Sequence, residues 1–380
     1  MIRSKYNLAI DCSFIKDRNP CESHAIYIKR LLSGLNNSDI FNIIIIVNET
    51  MINFIDDICP RPFPKIVIKG KGKVLPSAKL DRIFRIIPFK KELEKLHIDV
   101  VLCPNSHPHI YTYPSKYHQH VILHDLIPFY THSVPKGTLL IYKWMLKTIP
   151  HIISISQSTQ NSLKVITGRH SKVVHNSILI NSTTSEKIIK EIEGKKYILD
   201  VNRFEKYKNA ETLVYALDIL RNKIPHTLYL KGLNSMPDYL EELRTLINRL
   251  NLNERIIIDT SYRTEGEMRY LYTHSDLFVT PSLIEGFGYT PIEASILGTS
   301  VLVSDIPVLK EITCGKIPTF NPHSAEDLAE KIENMINHPK SIGEAKELSA
   351  FFIKEYSVEK QAKYISDAIV ENLQTRQNRI

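Results

Sequence analysis

An apolar stretch, Asp276-Leu277-Phe278-Val279-Thr280-Pro281, runs through Ser282-Leu283-Ile284-Glu285-Gly286-Phe287-Gly288-Tyr289-Thr290 into Pro291-Ile292-Glu293-Ala294-Ser295-Ile296-Leu297. That order constrains the fold more than any other part of the chain. It reads as a strand, a glycine-containing turn and a helix starting near Pro291, since proline is tolerated in a first helical turn but disrupts a helix interior. The first N–H groups of such a helix lack partners within it, and the positive end of its dipole adds to them, so the terminus suits a phosphate. Glu285, on the loop, and Glu293, expected in the first helical turn, bracket the glycines and can reach two parts of one elongated ligand. The plainer alternative is that Glu293 complements the helix dipole while Glu285 is solvated.

The rest of the chain repeats the same unit. Asn7–Asp11, Phe41–Val47, Asp99–Pro104, Val121–Leu123 and Ile152–Ser156 are short, apolar and rich in β-branched residues, as are Lys196–Val201, Thr227–Gly232 and Ile256–Asp259. Stretches with helical spacing separate many of them: one from Ser23 through Leu32, one after the N-cap candidate Ser156, then Ala210–Leu220, Leu240–Leu250 and Glu265–His274. Further helices are expected near Ser324–Asn337 and Ile342–Phe352. Alternation of this kind implies parallel sheets covered on both faces.

At 380 residues the chain allows two domains of ordinary size. Residues 1–180 form the first, the polar stretch from Asn181 opens a linker over 181–195, residues 196–355 form the second, and 356–380 are a C-terminal helix. Composition, 43% hydrophobic and 24% charged, is that of a soluble globular protein. The five cysteines are scattered without a C-x-x-C pair, which fits a reducing, cytoplasmic setting. The net charge of +8 is unevenly shared: residues 1–180 hold 24 Lys and Arg against 12 Asp and Glu, and residues 181–380 hold 25 against 29. Residues 61–95 alone carry eleven cations against three acids, with Ile83, Phe84, Ile86, Ile87 and Phe89 interleaved. A solvated basic face is the default reading; the sharper one is that Arg82, Arg85, Lys90 and Lys91 meet an anionic membrane surface or a phosphate-bearing acceptor.

Arg203 and Lys208 follow the Lys196–Val201 strand; taken alone they read as a solvated pair in a loop, whereas two cations held at a strand end can clamp a departing diphosphate. His124-Asp125 follows another apolar strand, at the end where parallel-sheet proteins place ligand groups, the plainer alternative being a capping Asp and a half-buried His. His118 and His120 alternate on one strand face, yet no thiol or acid at ligand spacing joins them, so a metal is not expected there. No Asp-x-Asp triplet occurs, and a metal-held diphosphate is not expected either.

Glu285-Gly-Phe-Gly, then Glu293-Ala, then Gly298 through Pro307 and Glu311 resembles the signature of the retaining glycosyltransferases of family 4, also called glycosyl transferases group 1. Asn202-Arg203-x4-Lys208 is similar to that family's Gly-Arg-x4-Lys segment, with Asn202 in place of the glycine. The loop Pro20–Ala25 departs from the family by lacking glycine. The resemblance implies an α/β fold of two Rossmann-like domains facing each other across a cleft (GT-B), with the last helix crossing back to the first domain. It also implies a metal-independent enzyme moving a hexose from a nucleotide-diphosphate sugar, GDP-mannose being the expected donor, with retention of configuration. The acceptor is expected to be a glycan or lipid-linked hydroxyl in bacterial O-antigen, capsule or related synthesis, at the inner face of the plasma membrane. In that reading Glu285, His124, Arg203 and Lys208 are catalytic. Gly286, Phe287, Gly288, Tyr289, Thr290, Glu293, Ser261 and Tyr262 bind the donor. A nucleotide-sugar epimerase of the same fold and a non-enzymatic polyanion binder are the alternatives; no nucleic-acid partner is expected.

Overall fold

Strands form where β-branched runs are bounded by turns, and here every pairing between them is parallel. The computed structural model describes residues 5–15, 23–68, 93–105, 118–131, 133–181 and 183–377. The segment holding Arg82, Arg85, Lys90 and Lys91, the loop Pro20–Glu22, and His107, His109 and His132 lie outside them. The described chain divides into two units, Met1–Ser177 with Tyr356–Ile380, and Ile178–Glu355.

The first unit carries strands β1 (Tyr6–Asp11), β2 (Phe41–Asn48), β3 (Lys65–Ile68), β4 (Val100–Cys103), β5 (His118–Leu123), β6 (His151–Ser154) and β7 (Lys172–Val173) in the order β3-β2-β1-β4-β5-β6-β7. Its core takes Ala9, Ile46, Val101, Val121 and Ile152 from the strands and Leu146 and Leu163 from the helices Lys136–Thr148 and Gln157–Thr167. The latter helix begins where Ser156 accepts a hydrogen bond from the Thr159 N–H and ends at Gly168 in the left-handed region, φ 77°. The C-terminal helix Val358–Gln377 packs on the helix Ser23–Leu35 so closely that a Cβ on Gly34 would lie 2.2 Å from the Val358 carbonyl oxygen. Ser177 donates to Gln361 at 2.7 Å, and Lys172 pairs with Glu371. The His-x-His alternation has a packing role: His120 and His118 stack on His151, with ring centroids 4.6 and 6.1 Å apart. Burial and the neighbouring His151 push His120 down to about 3, so it is neutral at physiological pH.

The second unit carries β8 (Tyr197–Val201), β9 (Thr227–Lys231), β10 (Ile256–Asp259), β11 (Leu277–Thr280), β12 (Val301–Ser304) and β13 (Thr319–Phe320), ordered β10-β9-β8-β11-β12-β13. All residues of β11 and β12 are buried, as expected of strands covered on both faces. The helices Ala210–Ile219, Pro237–Arg249 and Ala325–Asn337 supply Leu213, Leu217, Leu243, Ile247, Leu328 and Ile332 to one core with Ile198, Leu230 and Val279. The segment from Asn181, read in the sequence as a linker, packs on this unit. Ile189 and Ile192 are buried, and the Lys187 N–H donates to the Gly266 carbonyl. Among the described residues no helix is long and apolar enough to cross a membrane.

Candidate functional site

In the second sheet β8 and β11 are neighbours, yet the chain leaves β8 toward β9 on one side and leaves β11 toward β12 on the other. Loops diverging from such a switch point open a crevice at the carboxyl ends of the strands. The two loops here are Asn202–Asn209 and Pro281–Gly288. Backbone ties them together, the Leu283 N–H donating to the Tyr207 carbonyl at 2.8 Å. Asn209 holds them more firmly. Its backbone is left-handed, φ 61°, and its amide nitrogen donates to the carbonyls of Pro281, at 3.0 Å, and Pro322, at 2.8 Å. Asparagine suits this position because its short polar side chain makes the left-handed region tolerable. On the other flank a Cβ at Gly232 would lie 1.8 Å from the Asn202 carbonyl oxygen, so only glycine lets β9 end beside this loop.

Lys208 and Glu285 meet in this crevice. The ammonium lies 2.6 Å from the Glu285 carboxylate, and the Ser282 hydroxyl donates to the same oxygen at 2.8 Å. The side chains are only 12% and 10% exposed, so Glu285 is not the solvated acid of the plainer reading. Asp200, one residue before the end of β8, is buried in the same region and accepts from the Asn202 amide at 2.6 Å. Burial raises its pKa to about 7, with the Glu285 charge adding and the Asn202 hydrogen bond and Lys208 opposing. Arg203 does not share this arrangement. Its side chain is 55% exposed and its nearest carboxylate, Glu205, is 3.9 Å away, so Lys208 is the fixed cation of the expected pair.

The helix after the turn begins at Tyr289, earlier than Pro291, and extends to Ile296. Glu293 therefore lies in its second turn rather than its first. The cause is Gly288, which caps the helix at φ 94° and whose Cβ, were there one, would lie 2.7 Å from Leu309 Cδ2. Phe287 is buried, its ring 5.0 Å from that of Tyr289. Glu293 is half-buried and accepts from the Tyr272 hydroxyl at 3.5 Å.

Asp259 shapes the loop after β10. It accepts from the Ser261 N–H and hydroxyl, the Tyr229 hydroxyl and the Arg263 guanidinium, at 2.9, 2.5, 2.7 and 2.7 Å. Burial alone would raise its pKa, but these bonds outweigh burial and hold it at about 2. Buried Lys231 donates to the Ser261 carbonyl at 2.7 Å. Ser261 is thus fixed while Tyr262 stands 63% exposed.

In the first unit, His124 follows β5 and is half-buried. Burial and His24 push its pKa down to about 4, so the ring is neutral and Nε2–H donates to the Pro104 carbonyl at 3.1 Å. Its ring meets Tyr27 edge-on, centroids 4.7 Å apart.

Sequence reasoning did not assign Asp200, Asn209, Lys231 or Ser282 to the site. A charged residue inside an otherwise apolar strand, Tyr-Ile-Leu-Asp-Val, was the available signal for Asp200, and an asparagine directly before a helix the signal for Asn209.

Residues 181–355 match the model of the family described as glycosyl transferases group 1. Among curated proteins, the chain is 25% identical over 250 residues to the O-antigen chain mannosyltransferase RfbU of Salmonella typhimurium, a match spanning 64% of this chain and 66% of that protein. It is 32% identical over 145 residues to the serotype-specific mannosyltransferase WbdA of Escherichia coli, covering 37% of this chain but only 17% of the other. Among solved structures, Anabaena Alr3699/HepE in complex with UDP and glucose aligns over 96% of this chain and all of its own, with a TM-score of 0.72 at 17% identity. A glycosyltransferase from Rickettsia africae aligns over 97% of this chain and 100% of its own, with a TM-score of 0.71 at 18% identity. Two parallel α/β units with these neighbours have the GT-B fold, and residues 181–355, a little under half of the chain, are similar to the glycosyl transferases group 1 family.

Proposed function

We propose that this protein is a retaining hexosyltransferase that takes a sugar from a nucleotide-diphosphate donor, GDP-mannose in the first instance, and places it on a glycan or lipid-linked hydroxyl. The observation that carries the reading is the Lys208–Glu285 pair at the β8/β11 switch point, beside the N-terminus of the helix Tyr289–Ile296. As the sugar–phosphate bond breaks, negative charge gathers on the leaving diphosphate. Lys208, exposed Arg203 and the N–H groups of the first helical turn are the groups that meet it, and they need no metal to do so. Glu285 orients the transferred sugar, Glu293 the ribose hydroxyls, and Ser261 and Tyr262 flank the base. His124, a neutral hydrogen-bonding ring, is assigned to the sugar.

Mannose as the transferred sugar and surface polysaccharide as the product rest on the two mannosyltransferases to which the chain is similar. The nucleotide-sugar class of donor is supported by the fold neighbour bound to UDP. In this reading the acceptor is lipid-linked and the protein works at the cytoplasmic side of the membrane, the anionic surface proposed from sequence to meet the cations Arg82, Arg85, Lys90 and Lys91.

The test is incubation with GDP-mannose and with UDP-linked hexoses, in the presence of undecaprenyl-diphosphate-linked oligosaccharide, with product linkage read by NMR. An α-mannosyl product from the α-linked donor supports the reading. Isomerised donor with no transfer makes the protein an epimerase. If no nucleoside diphosphate raises the melting temperature, the donor site itself is refuted, since ligand at a hundred times its Kd stabilises by about 2.7 kcal/mol.

A further inference from the structure

The helix Lys136–Thr148 of the first unit has two apolar faces. Tyr142 and Leu146 turn into the core. Leu140, Ile141 and Trp144 are 68%, 62% and 58% exposed, and Tyr130, on the short helix just before, is 46% exposed. At about 100° per residue these three side chains fall on the side of the helix opposite Tyr142 and Leu146. Lys136, Lys143 and Lys147 fall together along one margin of that exposed stripe. A globular helix needs one apolar stripe, toward its core. A second stripe carrying the protein's single tryptophan marks an interaction surface.

Charge identifies the occupant. From residue 126 to residue 185 the sequence contains no Asp or Glu and six Lys and Arg. The stripe therefore sits in a segment with no acid of its own, and its margin is cationic. A protein partner would need a matching apolar and acidic groove. A bilayer containing anionic phospholipid supplies both properties at once: an apolar interior for Leu140, Ile141 and Trp144, and phosphate oxygens for the lysines. Indole and phenol rings favour the boundary between acyl chains and headgroups, and lysine stems reach from apolar surface to charge. Helices that lie in that boundary carry this combination of faces.

We propose that the helix Lys136–Thr148 docks the protein on anionic phospholipid membranes, with Leu140, Ile141 and Trp144 entering the headgroup boundary and Lys136, Lys143 and Lys147 held by lipid phosphate. This assignment does not depend on the transferase reading, because it concerns a surface and not a reaction. It is also separate from the basic segment around Arg82.

The test uses the full chain and vesicles of phosphatidylcholine with and without phosphatidylglycerol. Because Trp144 is the only tryptophan, its emission reports on this helix alone. The expected result is a blue shift on adding anionic vesicles, quenching by brominated acyl chains, and reversal by salt. Replacing Lys136, Lys143 and Lys147 by Gln should weaken vesicle affinity by about 10²-fold, at roughly fivefold per lysine. Leu140→Ser with Ile141→Ser should also release the protein from vesicles. Leu140, Ile141, Lys136 and Lys147 are exposed and Lys143 is half-buried on the helix surface, so the melting temperature of each variant should stay close to that of the parent. Three results would each overturn the proposal: no binding to anionic vesicles; binding with unchanged Trp144 emission and undiminished in the variants; or a parent dimer that Leu140→Ser with Ile141→Ser converts to monomer while vesicle affinity stays the same. The second result would return lipid contact to residues 61–95, and the third would make the occupant another copy of the chain.

Discussion

Lys208 and Glu285 lie 77 residues apart in sequence and 2.6 Å apart in space, an ion pair almost closed to solvent in the fork between two loops. Two buried opposite charges stabilise each other only while both are present; removing one leaves the other desolvated and unpaired. The pair thus restrains an ammonium and a carboxylate side by side, the two groups that the proposed function assigns to the donor's phosphate and to the sugar.

Lys208→Met and Glu285→Gln should each destabilise the fold, the lysine variant by about 3 kcal/mol, and the double variant should recover most of that loss. Urea denaturation at pH 7 measures it. Additive losses would mean that the two groups do not stabilise each other.

Donor binding and turnover should separate by residue. Arg203→Ala and Glu293→Ala each remove a charge-assisted contact, so nucleotide affinity should fall roughly tenfold or more in calorimetry. Glu285→Gln should keep most of its nucleotide affinity and lose turnover by about 10²-fold, because its contact strengthens as the sugar–phosphate bond breaks. Unchanged turnover in Glu285→Gln would remove that carboxylate from the reacting centre.

Asp200 should give stability a pH dependence of known sign. Its pKa is about 7 in the folded chain, pushed up by burial, and about 4 unfolded. The folded state holds the proton more tightly, so this residue's contribution is full below about pH 4 and declines as pH rises to 7. Asn mimics the protonated acid. Asp200→Asn should therefore raise the melting temperature more at pH 8 than at pH 5. An equal effect at both would show that Asp200 does not titrate in this window.

Asn209 pins three segments with two buried hydrogen bonds and a left-handed backbone. Asn209→Ala loses both contributions and should cost about 2–3 kcal/mol. Asn209→Gly keeps the backbone geometry and should cost less. Both should weaken nucleotide binding, since the loop of Lys208 would no longer be fixed to the loop of Glu285. If Gly is no better than Ala in thermal unfolding, backbone strain is not part of its role.

Most of the strands, their parallel pairing and the helix after Gly288 were legible because short-range chemistry sets them, whereas the short strands Lys65–Ile68, Lys172–Val173 and Thr319–Phe320 were not. β-branched runs, a glycine at positive φ and caps such as Ser156 act within a few residues. Glu285, Lys208 and Glu293 stood out because the residues around them resemble the family's signature. Sequence put Glu293 in the first helical turn rather than the second, because Pro291 near a helix start does not fix the cap, which is Gly288 with its left-handed backbone at φ 94°.

What the sequence could not supply was adjacency and depth. Nothing local pairs Lys208 with Glu285 rather than with Glu205, or leaves Arg203 in solvent. The strand order does that, by setting β8 beside β11. Nothing local raises the pKa of Asp200 either, because burial is a property of the assembled sheet. The exposed stripe of Lys136–Thr148 is the same lesson in reverse: the linear sequence does not say which of its apolar residues face inward, and only packing shows which of them the core takes. Local sequence thus fixes which groups are available, through backbone sterics and side-chain chemistry, while tertiary structure decides which of them meet and how much water remains between them.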